Sequence, residues 1–453
     1  MRLTNLTRAT EIGANSYCVT LDDARFVLDC GLHPRGAGRD AMPRLDLIKN
    51  ESIDGIFLSH CHLDHLGSLP VLMRAHAEAE VYMTSASAEL ADLMLHNSCN
   101  VMMKERDERG IADYPLFTHK QVDQLKEFWR TIRYRRPFCP TTREAETEIT
   151  AEFYDAGHVL GSAGIRLSSP RETLFYTGDV NFTAQTLMPA ADFPEEPADV
   201  LMIETTRGLH ESPEPYSRQR EVERLAASIA RILAAGGSVL LPCFALGKQQ
   251  EVLAILWQMM QNHTIPHSTV FIGGMGKQVT RLYDRLAMDT PRQWPRLNLM
   301  EALDLNVLEM SDSKAMKLGG GRIFAVSAGM MTEPTHSFVL ARRFLDSPHA
   351  GIFFVGYVDP ESPAGLLKAA AAAGTEVALS PGLRPQRIRC EVDSFDFTAH
   401  AQREDLLNYV LRVKPRMTVL VHGDEGALHW FAGKLDEHRL RWLIPESGKE
   451  YEL

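Results

Sequence analysis

Seven residues constrain this chain more than any others: Ser59-His60-Cys61-His62-Leu63-Asp64-His65, set directly after the apolar run Gly55-Ile56-Phe57-Leu58. A compact apolar run that ends in a polar cluster is the pattern of a buried strand whose carboxyl end carries function. Imidazole nitrogens and a carboxylate are the ligands that a borderline-soft divalent ion such as zinc prefers, and four of them packed this closely invite two ions rather than one. In an extended stretch His60 and His62 point the same way; the turn then brings Asp64 and His65 round to a second position. A lone histidine would be read as a core or capping residue. H-x-H-x-D-H behind an apolar strand outweighs that reading.

Two ions need more ligands than this cluster can place, so isolated His or Asp residues are expected at other strand ends. Asp155-Ala156-Gly157-His158, Tyr176-Thr177-Gly178-Asp179 and Leu420-Val421-His422-Gly423 each set a candidate beside a glycine, where backbone can approach an ion closely. Singly, each would serve a turn as readily as a metal. Together they give seven candidates: His60, His62, Asp64, His65, His158, Asp179 and His422. Asp29, which ends the run Phe26-Val27-Leu28, is better read as a carboxylate that orients a loop or a ligand imidazole from behind.

The 453 residues suit two or three intimately packed units, and 45% hydrophobic with 24% charged residues supports a globular α/β protein. The net charge of -11 argues against a basic blanket for nucleic acid, so any attraction for phosphate must be local. The seven cysteines are odd in number, scattered and without a C-x-x-C pair, which fits reduced thiols. The start lacks an apolar h-region and no segment reaches the length of a membrane span, so the expected location is the cytoplasm.

From about Tyr216 strand and helix signals alternate. A helix is expected over residues 218–234, a strand at 238–241 and a helix over 247–260. Further strands are expected at 269–272, 322–326, 351–355 and 376–379, the pattern of a second, parallel α/β unit. The alanine run at 369–373 is helix material. A strand is then expected at 417–421, with a helix after Gly426.

The order H-x-H-x-D-H, then separated His, Asp and His, resembles the metallo-β-lactamase superfamily. The resemblance implies an αββα sandwich with metals at one edge and Zn2+, two per chain. His60, His62 and His158 would hold one ion, Asp64, His65 and His422 the other, with Asp179 bridging. A hydroxide between the ions would be the nucleophile, because coordination brings the pKa of water near neutrality.

The long stretch between Asp179 and His422 narrows the resemblance. It carries Leu201-Met202-Ile203-Glu204-Thr205-Thr206-Arg207-Gly208, Leu241-Pro242-Cys243-Phe244-Ala245-Leu246-Gly247-Lys248-Gln249-Gln250-Glu251, Ser327-Ala328-Gly329-Met330 and Phe397-Thr398-Ala399-His400-Ala401. These strings look like the β-CASP nucleases, which include the pre-mRNA 3′-end endonuclease and bacterial and archaeal ribonucleases, and the match runs over nearly the whole chain. It implies a metallo-β-lactamase domain over residues 1–207 and 383–453, with an inserted parallel β-CASP domain over 208–382. It also implies a metal-dependent endoribonuclease that cuts single-stranded RNA internally. Catalytic roles would fall to His400, Glu204, Asp64 and Asp29. Glu204 would steer His400 as it protonates the leaving oxygen, and Ser327, Ala328, Gly329 and Lys248 would meet substrate. A histidine at the last ligand position, His422, goes with the RNA-cleaving members.

Departures from the family pattern gather where phosphates would be cradled: Arg207 in place of a tyrosine, Lys248 in place of an arginine, Glu333-Pro334 in place of a glycine pair, and residues 356–363 in place of a glycine-threonine ending. Neither a KH-like N-terminal extension nor a long C-terminal domain is evident, which removes one reason to expect 5′ exoribonuclease action. The alternatives carried are a metallo-hydrolase acting on DNA or on a small ester or thioester, a 5′ exoribonuclease, and a non-catalytic subunit. Against the last, every ligand position is filled. A homodimer is compatible with the sequence. The basic stretch at 126–136, with Trp129 and Tyr134, is expected to be a solvated helix face anchored by its aromatics.

Overall fold

The computed structural model describes residues 1–143, 148–211 and 216–453. The chain divides into two compact units. The first comprises residues 1–184, 190–211 and 400–453, the second residues 185–189 and 212–399.

The first unit is built on two sheets. One orders its strands β19-β1-β2-β3-β4-β5-β6: Arg2–Asn5 (β1), Tyr17–Leu21 (β2), Ala24–Leu28 (β3), Gly55–Phe57 (β4), Glu80–Thr84 (β5), Trp129–Ile132 (β6) and, from the far end of the chain, Glu450–Glu452 (β19). The other orders them β18-β17-β10-β9-β8-β7: Thr150–Asp155 (β7), Ala163–Ser168 (β8), Thr173–Tyr176 (β9), Val200–Glu204 (β10), Met417–Val421 (β17) and Trp442–Leu443 (β18).

The alternation of side chains along a strand explains why these two sheets stack. Val200 and Met202 of β10, with Val419 and Val421 of β17, face a core shared with Val19, Phe26 and Phe57 of the first sheet. Their neighbours Leu201, Ile203 and Leu420 face the opposite way, into a core with Leu406 and Tyr409 of helix Arg403–Val413 and Leu428 and Phe431 of helix Glu425–Glu437. A sheet buried on both faces needs near-continuous apolar strands, and VLMIE and MTVLV supply them. Each such side chain contributes about 1.5–3 kcal/mol by leaving water.

The second unit holds one parallel sheet, ordered β13-β12-β14-β11-β15-β16: Val239–Pro242 (β11), Val270–Gly273 (β12), Asn306–Leu308 (β13), Ile323–Val326 (β14), Gly351–Phe354 (β15) and Glu391–Ser394 (β16). The helix at Arg218–Ala234 has the expected bounds. Three expectations fail. Residues 376–379 form no strand; only Val377 makes an isolated bridge, to Gln386. The basic stretch is not a helix face: Trp129–Ile132 is an edge strand paired with β5. Residues 383–399 stay with the second unit, because β16 extends its sheet, and the return to the first unit comes at His400 instead of 383.

All seven cysteines are unpaired, and only Cys139 is exposed. Among the described residues no helix is long and apolar enough to cross a membrane.

Candidate metal centre

Strands β3, β4, β7, β9, β10 and β17 all deliver their carboxyl ends to one edge of the first unit. β3 runs parallel to β4; β10 runs parallel to both β9 and β17; and β7, antiparallel to β8, shares the direction of β9. At or just after these ends stand Asp29, His60, His158, Asp179, Glu204 and His422 respectively, Glu204 being the last residue of β10. Parallel strands end in register at one rim, so side chains distant in sequence converge there. Gly178 has φ 54°, and a Cβ on it would stand 2.7 Å from the Cβ of Ser59, so only glycine lets the Asp179 turn close against the His60 turn. Asp29 and His422 adopt the same left-handed region with side chains, at φ 56° and 48°, a strained choice that surrounding structure must hold in place.

The seven candidates fall into two groups. His60, His62, His158 and Asp179 form one; Asp64, His65 and His422 form the other; in each, the ligand atoms lie within 4.8 Å of one another. In the first, His60 Nε2 is 3.1 Å and His158 Nε2 3.2 Å from His62 Nδ1, while Asp179 Oδ2 is 3.4 Å from His60 Nε2 and 3.6 Å from His158 Nε2. Ligand atoms held tetrahedrally about 2.1 Å from zinc stand about 3.4 Å apart, so this set fits a tetrahedral ion. In the second, His422 Nε2 is 3.5 Å from Asp64 Oδ2, and Asp179 Oδ1 is 3.3 Å from His65 Nε2 and 2.9 Å from His422 Nδ1. Asp179 thus offers one oxygen to each group. Its Oδ1 and the Nε2 of His422 are buried and make no hydrogen bond despite these short distances. Buried polar atoms left so are costly in a folded chain, and a cation between them would satisfy both.

The electrostatics differ between the groups. Burial, joined by the neighbouring His65, holds His60 well below its ordinary pKa, which leaves a neutral imidazole with a lone pair to give. Burial would lower His422 as well, but Asp179 outweighs it and lifts the ring to about 10. Asp64 is resisted by burial yet drawn down to about 2 by His65 and His422.

Asp29 is fully buried and acts from behind the ligands. Its Oδ2 accepts from His65 Nδ1, Ser59 Oγ and Tyr176 Oη, each at 2.7 Å, and its Oδ1 accepts from the Ser59 amide at 2.7 Å. Fixing the proton on Nδ1 turns His65 Nε2 toward Asp179. Sequence reasoning gave Ser59 and Tyr176 no role, since the apolar run Leu174-Phe175-Tyr176 reads as core throughout. It also missed Thr206, whose Oγ1 lies 3.1 Å from His422 Nδ1, and Asn15, whose Nδ2 lies 3.3 Å from His65 Nε2.

Glu204 and His400 meet as a pair. His400 Nδ1 is 3.1 Å from both carboxylate oxygens of Glu204, and its Nε2 is 4.0 Å from Asp179 Oδ2. Glu204 is buried and anchored by the Val180 amide, 2.7 Å from Oε1. Burial pulls the His400 pKa down, but Glu204 and then Asp179 more than restore it, so the ring sits above its ordinary value. Residues 397–400, which lead into His400, are irregular, and the next helix starts at Arg403.

The four expected substrate residues lie in the second unit. Ser327, Ala328 and Gly329 follow β14, where Ser327 Oγ donates to Gly273 O at 3.2 Å and Ala328 O accepts from Ser337 Oγ at 2.6 Å. Lys248 is buried, with its ammonium turned to the Phe397 carbonyl. That charge is committed to the scaffold and is not open to a phosphate.

Three family models match in succession. Residues 9–222 match the metallo-beta-lactamase superfamily, 249–367 the Beta-Casp domain, and 385–445 the Zn-dependent metallo-hydrolase RNA specificity domain. The chain is 27% identical to cleavage and polyadenylation specificity factor 73 of Drosophila melanogaster over 92% of its own length and 59% of that protein, so it spans less than two thirds of that relative. It is 26% identical to a probable RNase of Methanocaldococcus jannaschii, covering 98% of this chain and 97% of that one. It is 27% identical to a ribonuclease of Thermus thermophilus, covering 94% of each. Among solved structures, a protein of unknown function from Enterococcus faecalis shares the fold, with a TM-score of 0.58 and 14% identity over 100% of this chain and 99% of that one. With a lactamase-type centre at the strand ends and three matching models in this order along it, the chain belongs to the metallo-β-lactamase superfamily, in the group that carries a β-CASP domain.

Proposed function

We propose that the chain is a metal-dependent hydrolase that cuts single-stranded RNA at internal phosphodiester bonds. The observation that carries this reading is the Glu204–His400 pair beside the candidate metal centre, an imidazole held with one nitrogen on a buried carboxylate and the other 4.0 Å from Asp179.

His60, His62 and His158 are suited to one divalent ion, Asp64, His65 and His422 to a second, with Asp179 shared. The nitrogen-rich donor set favours zinc. Bound there, the ions would supply positive charge for one phosphate and a water acidic enough to be deprotonated near neutral pH. The remaining work belongs to the chain. Asp29, through His65 Nδ1, keeps that ring in the ligand orientation. Glu204 holds His400 protonated at Nδ1, leaving Nε2–H to give its proton to the departing oxygen when the P–O bond breaks.

RNA is favoured because the C-terminal model is described as an RNA specificity domain and the full-length relatives are named as ribonucleases. An unpaired strand is favoured because it bends into a recessed site more readily than a duplex does.

A circular single-stranded RNA and a circular DNA of the same sequence test the reading, since only an endonuclease opens a circle. The RNA circle should linearise and the DNA circle survive. An RNA circle that persists while linear RNA is shortened from one end would establish an exonuclease, and faster opening of the DNA circle would remove the RNA assignment.

A further inference from the structure

In the second unit, β11 and β14 are neighbours in a parallel sheet, but the chain leaves them in opposite directions. From β11 it runs through helix Lys248–Gln261 to β12, beyond β14. From β14 it runs through helix His336–Phe344 to β15, beyond β11. Right-handed crossovers in opposite directions put their helices on opposite faces of the sheet, which opens a crevice at the carboxyl ends between them. Open α/β sheets bind their ligands at such switch points.

What lines this crevice is unusual for the molecule. Only three aromatic side chains are counted among the exposed large hydrophobics of the described residues, namely Phe244, Trp294 and Tyr357. Two of them, Phe244 at 39% and Tyr357 at 68% exposure, line one shallow pocket, which follows β11 and β15. Trp294 lies outside this pocket, with its ring 5.3 Å from that of Trp257. Gly329, after β14, lies against Phe244; a Cβ on it would stand 3.2 Å from the Phe244 amide nitrogen and 3.5 Å from ring atom Cδ2. Pro242, Gly356 and Lys248 also line it, and no carboxylate contributes.

We propose that this crevice is a nucleobase subsite, in which one base of the RNA strand stacks on Phe244 and Tyr357. A shallow, aromatic-faced depression with no acidic group in its lining suits a planar base in an anionic strand. It does not suit an engulfed small molecule. Stacking of this kind tolerates sequence because every base has a π-face. The inference rests on RNA being the substrate, and the experiment separates the two claims.

The full chain is crosslinked by light to a single-stranded oligouridylate carrying 5-iodouridine, the crosslinked peptide is identified by mass spectrometry, and cleavage of the unmodified strand is measured in parallel. Crosslinks are expected at Phe244 or Tyr357. Tyr357→Leu and Phe244→Ala should each raise KM about tenfold or more while changing kcat less, and Tyr357→Trp should restore KM, which a loss of packing alone would not explain. Both residues are exposed, so the variants are expected to fold. Crosslinks to this pocket without cleavage would keep the subsite and end the hydrolase reading. Cleavage with crosslinks elsewhere and an unchanged KM in Tyr357→Leu would overturn the subsite and leave the hydrolase standing. Failure of both crosslinking and cleavage would overturn both.

Discussion

His400 and the seven ligand candidates are all drawn to one rim, yet their chemistry separates them. His400 keeps Nδ1 on Glu204, which engages that nitrogen with a carboxylate, and its Nε2 stands 4.0 Å from the nearest oxygen of Asp179. His400→Ala should therefore retain the full metal content and lose about a hundredfold to ten-thousandfold in turnover. Metal analysis beside a cleavage assay checks this, and loss of an ion in the variant would mean the ring is a ligand after all. Tyr176 makes the complementary case, since it touches no ligand but donates to Asp29 Oδ2 at 2.7 Å from full burial. Tyr176→Phe leaves the ring and removes one of the hydrogen bonds that keep Asp29 in place behind His65. Stability should fall by about 1 kcal/mol and metal affinity by about tenfold. A chelator titration showing unchanged affinity would reduce the tyrosine to a packing residue.

At the scale of elements, a second prediction comes from the start of helix Lys248–Gln261. Burial, with Arg218 adding to it, pushes Lys248 from an ordinary 10.5 down to about 8. A folded pKa below the unfolded one means that the charged form is penalised in the native state. The penalty is present in full below pH 8, is relieved between pH 8 and 10.5 as the native state loses its proton first, and vanishes above. Lys248→Met should accordingly be stabilised relative to the parent at pH 7, by at most about 3 kcal/mol, and the advantage should shrink by pH 10.5. A difference in Tm that does not change across that range would show that the ammonium is not desolvated.

Elements were legible where one face or both faces of a strand bury apolar residues. The runs at Phe26 and Ile56 read correctly as strands, and the helix expected over residues 218–234 has those bounds. Trp129–Ile132 did not, because its burial is decided by pairing with β5 far away in sequence, and its Arg130 is exposed beside Glu80. Residues 376–379 carry a strand-like composition but find no partner beyond one bridge. Among site residues, the metal candidates were visible as His and Asp beside glycines. Ser59, Tyr176 and Thr206 were not, since a hydroxyl that serves a carboxylate or a ring from behind looks like any core residue until the fold supplies its partner.

The whole molecule carries a net charge of -11, yet its proposed substrate is a polyanion. A basic nucleic-acid binder gains affinity by displacing many condensed counterions, and its binding weakens steeply with salt in proportion to the phosphates it neutralises. Several of the exposed basic residues are paired with carboxylates. Arg130 pairs with Glu80, Arg135 with Asp192, Arg224 with Glu221, and Arg231 with Glu391. On the local mode of recognition that the net charge favours, attraction for RNA comes from ions bound at the metal centre, from dipoles and from stacking, of which only the first releases counterions to any extent. Contact with about two or three phosphates gives a slope of log(1/KM) against log[KCl] near -2, from about -0.7 per phosphate on a single strand. Steady-state KM for a fluorescent single-stranded RNA across a KCl series, with divalent ion held constant, should show that shallow slope. A slope steeper than about -5 would mean that a broad basic surface engages the strand, and the local mode of recognition would have to be given up.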